Sequence, residues 1–147
     1  MNFYIDASNI HSGGGKTILN DFLSGAVSFP EINFFIWIDD RYHLPHSVKG
    51  NKNLKFFNTS KLARIFIQFS IRNLSKNEDI IIFFGNLPPL IKFRTKTYLF
   101  QSNRYLIQNY STKGMPINTR LRINLERSFF YLFKKNVDEI IVQSDSM

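Results

Sequence analysis

Two kinds of apolar pattern alternate along the chain. Short runs that are apolar at every position, such as Phe34-Phe35-Ile36-Trp37-Ile38 and Ile80-Ile81-Ile82-Phe83-Phe84, are separated by longer segments in which apolar residues return every three or four positions. Uninterrupted runs are what strands covered on both faces require, whereas a sheet with one wet face alternates. The pattern predicts strands at about Asn2–Asp6, Asn33–Ile38, Leu54–Asn58, Asp79–Phe84, Thr97–Ser102 and Glu139–Ser144, with helices over about Lys16–Ser28, Ser60–Ser75 and Asn118–Lys135. Strands alternating with helices specify a parallel sheet with crossover connections. The expected fold is α/β, a Rossmann-like doubly wound parallel sheet in three layers; an antiparallel sandwich is disfavoured.

Turn residues cluster between these elements, at Ser12-Gly13-Gly14-Gly15, Gly50-Asn51-Lys52-Asn53, Gly85-Asn86-Leu87-Pro88-Pro89 and from Asn109 to Pro116. There are no internal repeats, and 147 residues with 44% apolar content suit one domain with a sizeable core. Asn33, Asp39, Gly85 and Pro88 interrupt the richest apolar runs before they reach the roughly 20 residues of a membrane span. Cysteine is absent and the N-terminus lacks a basic region followed by a long apolar one, so a cytoplasmic location is expected. The last predicted strand, Ile140-Ile141-Val142-Gln143-Ser144, has only three residues after it, and the chain is expected to be a fragment of a longer protein or one half of a split one.

Net charge is +8, and its placement matters more than its size. Ten Lys/Arg fall between Lys92 and Lys135 against one acid, Glu126. Such a cluster points to nucleic acid, an anionic membrane face or a phosphate-bearing substrate. The last predicted helix carries part of it. At 100° per residue Leu121, Leu125, Phe129, Leu132 and Phe133 share an arc expected to face the sheet. Ile123 and Phe130 are then left outside with Arg120, Arg127 and Lys134, as a contact for an anionic membrane surface or for a further domain.

Candidate chemistry concentrates in Asp6-Ala7-Ser8-Asn9-Ile10-His11-Ser12-Gly13-Gly14-Gly15-Lys16-Thr17, which joins the first strand to the first helix, where backbone N–H groups and the helix dipole favour an anion. Gly15-Lys16-Thr17 resembles the end of a P-loop, but the first glycine of that motif would fall at Ile10, so a nucleotide triphosphatase is disfavoured. A dinucleotide fingerprint is met at Gly13 and Gly15 and fails at Ile18, with Asp39 or Asp40 as the ribose-binding acid. The glycines also have a simpler reading as a tight strand-to-helix turn.

The same segment resembles the opening of family 4 glycosyltransferases of the GT-B fold. Tyr98-Leu99-Phe100-Gln101-Ser102-Asn103-Arg104 resembles that family's strand ending in a polar cleft residue, and Asp138-Glu139-Ile140-Ile141-Val142-Gln143-Ser144 the strand closing its N-terminal domain. The resemblance implies two Rossmann-like domains, of which this is the N-terminal, acceptor-side one. It implies a nucleotide-sugar donor held mostly by a C-terminal domain absent from this chain, and a lipid-linked or polysaccharide acceptor of cell-surface glycan synthesis. It further implies retention of anomeric configuration, no cofactor beyond the donor substrate, and a location peripheral to the inner membrane face. Gly13, Gly14, Gly15, Lys16, Thr17, Gly85, Asn86, Gln101, Ser102, Asn103, Arg104 and Ser144 are the expected cleft residues. The family's His near the end of the fifth strand is replaced here by Gln101, Ser102 and Asn103, and its paired glutamates lie outside the chain. No catalytic residue is assigned.

Other residues carry less. Asn86 could bond a sugar hydroxyl, or sit in a turn held rigid by two prolines. His11 is either a general base or a plain loop residue. His43 and His46 lack further ligands nearby, so no metal site is expected. Asp39 and Asp40 read as solvated acids closing a strand. The competing class is a non-catalytic basic Rossmann-like module for nucleic acid or a phosphorylated ligand, supported by interleaved Phe, Tyr and Arg but by no nucleic-acid-binding fingerprint.

Overall fold

The computed structural model describes residues 1–60, 63–108 and 110–142. Six strands, β1 (Asn2–Ala7), β2 (Asn33–Asp39), β3 (Leu54–Thr59), β4 (Ile80–Phe83), β5 (Lys96–Gln101) and β6 (Glu139–Val142), form one sheet in the order β3-β2-β1-β4-β5-β6. Every neighbouring pair is parallel. Helices α1 (Gly13–Ala26), α2 (Arg64–Leu74), α3 (Arg104–Ile107) and α4 (Ile117–Phe133) connect them. The expected Rossmann-like α/β fold is what forms.

Strand β1 shows why the apolar runs are continuous. Ile5 pairs in register with Ile36 and Ile82 and packs toward α1 with Leu19 and Leu23. Its neighbour Tyr4 points to the other face, packing with Ile81, Trp37 and the α2 residues Ile67 and Ile71. Both faces of the strand are dry, so both side-chain parities must be apolar. Burying a side chain such as Ile5 or Leu19, each fully buried, contributes about 2 kcal/mol as an upper figure.

The chain runs outward from β1 to β2 and β3, then returns to β4 on the opposite side of β1, so the winding reverses between β1 and β4. Parallel crossovers of one hand put α1 on one face and α2 and α4 on the other. The α1 end is closed by the buried Asn53, whose Nδ2 donates to Ala26 O at 3.2 Å and Phe29 O at 3.0 Å.

Helix α4 lies the other way round from the expectation. Ile123 and Phe130 are buried, 3% and 4% exposed, whereas Leu121, Leu125 and Leu132 are 60–65% exposed. Both arcs of this helix carry apolar residues, so the projection does not decide between them. Arg127 does. From the inward arc its guanidinium donates to Tyr105 O at 2.6 Å, Gln108 O at 3.4 Å and Tyr110 O at 2.8 Å. These carbonyls belong to α3 and the turn after it, a helix too short to satisfy its own C-terminal acceptors. Phe130 meanwhile fills the core beside Leu99 and Val137.

Candidate functional site

Open α/β sheets bind ligands outside the carboxyl ends of their strands, at the point where the winding reverses. Here that point lies between β1 and β4, and the loop after β1 spans it. Asp6 shapes the loop: its Oδ1 accepts from Ser8 N at 3.1 Å and Ser8 Oγ at 2.6 Å, turning the chain sharply out of the strand. From there Asn9 reaches toward β4, its Nδ2 donating to Gly85 O at 3.1 Å. His11 reaches toward β2, its Nδ1 accepting from Arg41 Nη2 at 3.2 Å.

The three glycines are not a loop ahead of the helix, as expected, but its first turn. Ser12 precedes them in extended backbone and its side chain makes no capping bond, and the first turn holds no acid. The first N–H groups of α1 have no partner within the helix, and they carry the positive end of its dipole. Gly13 has φ +67°, a conformation that favours glycine. A Cβ on Gly13 or Gly14 would meet nothing within 4 Å, so the space above this turn is open, while one on Gly15 would press on Ile10 Cδ1 at 3.0 Å. Lys16 follows, its ammonium 5.9 Å from the Tyr42 ring centroid, and Thr17 is exposed.

Asp39 is not a solvated acid. Its side chain is fully buried and held by Arg41, whose Nε and Nη2 donate to the two carboxylate oxygens at 2.7 and 2.6 Å and whose backbone N donates at 2.9 Å. Those hydrogen bonds hold the carboxyl well below the usual range. The pair is then a fixed, neutral floor beneath His11 rather than a ribose-binding acid.

Beyond β4, Asn86 sits at φ 59° and its Oδ1 accepts from Ser102 N at 2.7 Å, Ser102 Oγ at 3.1 Å and Asn103 N at 3.1 Å. The turn is tied to the end of β5 by a carboxamide oxygen that three donors occupy. Asn103 in turn caps α3, its Oδ1 accepting from Tyr105 N at 3.1 Å. Gln101 is buried behind this junction with its Nε2 on Asn103 O at 2.9 Å, so it supports the edge and does not face the cleft. Arg104 turns away, its guanidinium 4.9 Å from the Tyr110 ring centroid. Ser144 lies outside the described residues.

These ties leave a polar cavity of about 220 Å³ lined by Asn9, Gly85, Asn86, Leu87, Asn103, Arg122 and Glu126. Arg122 and Glu126 face each other at 3.8 Å across one turn of α4. Neither is among the expected cleft residues, because in sequence an i, i+4 charge pair signals only a solvated helix face. Among the described residues no group of three or more His, Asp or Glu is placed to hold a metal ion.

The basic stretch is partly neutralised. Lys92 pairs with Asp138, Lys96 with Glu139 at 2.7 Å, and Arg127 is consumed by backbone carbonyls. The contact set expected on α4 is corrected accordingly: Ile123, Phe130 and Arg127 face inward, and only Arg120 and Lys134 of that set are exposed. Compared with protein-family models, with curated proteins and with solved structures, the chain matches none.

Proposed function

We propose that this domain is the acceptor-side half of a retaining, nucleotide-sugar-dependent glycosyltransferase that serves a lipid-linked or polysaccharide acceptor. The observation that carries the reading is the juxtaposition at one sheet edge of an uncapped helix N-terminus with open space above it and a polar cavity of monosaccharide size. Glycosyl transfer from a nucleotide sugar needs those two environments side by side. The amides of Gly13, Gly14, Gly15 and Lys16 would stabilise the negative charge that builds on the departing diphosphate. Asn9, Asn103 and Arg122 would fix hydroxyls of the acceptor sugar, and the Asp39–Arg41 pair would hold the intervening loop in place.

On this reading the nucleotide itself is gripped by a second Rossmann-like domain outside these residues, so affinity for the donor here is weak. Equilibrium dialysis of the chain against radiolabelled nucleotide sugars tests it. One member of the panel should bind in the millimolar range and be displaced by inorganic diphosphate. Binding that diphosphate fails to displace, or none at all, would count against the reading.

A further inference from the structure

Helices α2 and α4 each leave an apolar stripe uncovered, and the two stripes look the same way. Both helices contribute to the same core on one face of the sheet, through Ile67 and Ile71 from α2 and Phe130 from α4. Their opposite arcs therefore both point away from the sheet into solvent. On α2 that arc carries Phe66, 73% exposed, and Phe69, 48% exposed. On α4 it carries Ile117, Leu121, Leu125 and Leu132, spaced by four and seven residues on the arc opposite Ile123 and Phe130. Apolar surface on this scale marks an interface.

Charge decides the occupant. Arg72 lies on the α2 arc, and Arg120 and Lys135 flank the α4 stripe, all exposed. Helix α2 holds no acid at all, and the one acid of α4, Glu126, faces Arg122 and lines the polar cavity. No described helix is long and apolar enough to cross a membrane. Helices with aromatic and aliphatic residues on one arc and Arg or Lys at its edges lie in the plane of an anionic lipid surface, with the apolar groups below the headgroups and the cations among them.

We infer that the outer face of α2 and α4 docks the protein on an anionic bilayer. Phe66, Phe69, Leu121 and Leu125 enter the boundary between headgroups and acyl chains, and Arg72, Arg120 and Lys135 meet lipid phosphates. The contact is independent of what the sheet edge binds. It also differs from a membrane contact through Ile123 and Phe130, which are buried.

Co-sedimentation with phosphatidylglycerol vesicles at low salt, against phosphatidylcholine vesicles as control, tests the inference. The chain should pellet with the anionic vesicles only, and release as salt rises. Each cation near the surface is worth roughly fivefold in binding, so Arg72→Glu, Arg120→Glu and Lys135→Glu together should weaken it by at least about 100-fold. Phe66→Ser with Leu121→Ser should weaken binding at every salt concentration. Circular dichroism keeps the comparison to folded variants, since all these side chains are exposed. Absence of binding to anionic vesicles overturns the inference, as does binding that these substitutions leave unchanged. A dimer in sedimentation equilibrium that Phe66→Ser and Leu121→Ser dissociate would assign the face to a second copy instead.

Discussion

Asn86 Oδ1 accepts from both the backbone N and the hydroxyl of Ser102, at 2.7 and 3.1 Å, and so fastens the turn after β4 to the end of β5. Asn86 also holds φ 59°, where a β-carbon is strained and asparagine is among the side chains best tolerated. Asn86→Gly relieves the backbone but loses the bonds, and Asn86→Ala loses the bonds and keeps the strain. The denaturant midpoint should be highest for the wild type, lower for Asn86→Gly and lowest for Asn86→Ala, the last about 2–3 kcal/mol less stable than the wild type.

The Asn9 to Gly85 contact allows a coupled test. A Cβ on Gly85 would lie 2.6 Å from Asn9 Nδ2 and 2.7 Å from its Oδ1, so Gly85→Ala must expel the Asn9 side chain. Asn9→Ala alone removes one hydrogen bond, about 1 kcal/mol. In the Asn9→Ala background Gly85→Ala should cost much less than in the wild type, a coupling readable in a double-mutant cycle.

Asp39 makes stability depend on acid. Its folded carboxyl titrates below the unfolded value because Arg41 hydrogen-bonds the charged form. The stabilisation is therefore fully present above the unfolded value near pH 4 and is lost as pH falls toward the folded one. Asp39→Asn should lower stability at pH 7 by about 2 kcal/mol, and the gap from wild type should close below pH 4. Thermal melts of the two proteins from pH 7 down to pH 2.5 measure it.

The orientation of α4 is open to truncation. Ile123→Ala and Phe130→Ala remove buried groups and should each cost about 2–5 kcal/mol. Leu121→Ala and Leu125→Ala act on exposed side chains and should stay within about 0.5 kcal/mol. Urea unfolding would reveal the reverse order at once if the helix were turned over.

The strands were legible because a doubly covered strand must be apolar at both parities, and Tyr4-Ile5 or Ile81-Ile82 can be nothing else in water. Helix α4 was not, since its two arcs are nearly matched in apolar content and a distant set of carbonyls, which Arg127 reaches from the inward arc, breaks the tie. Asp39 looked solvated because its neutralising partner sits two residues on in an irregular turn, where the sequence gives no geometry. The glycines lie at the sheet edge, as the pattern of elements implied, but belong to the helix itself. Arg122 and Glu126 join the cavity only through tertiary packing of α4 beside the β4 turn.

On the proposed reading the α1 N-terminus and the adjoining cavity receive the diphosphate and the sugar. Amide correlation spectra of the ¹⁵N-labelled chain, recorded while a panel of nucleotide sugars is titrated to millimolar concentration, address it residue by residue. Concentration-dependent shifts should centre on Gly13, Gly14, Gly15 and Lys16, with smaller ones at the side-chain amides of Asn9 and Asn103. Spectra that stay unchanged across the panel, or that shift only at positions remote from this edge of the sheet, would contradict it.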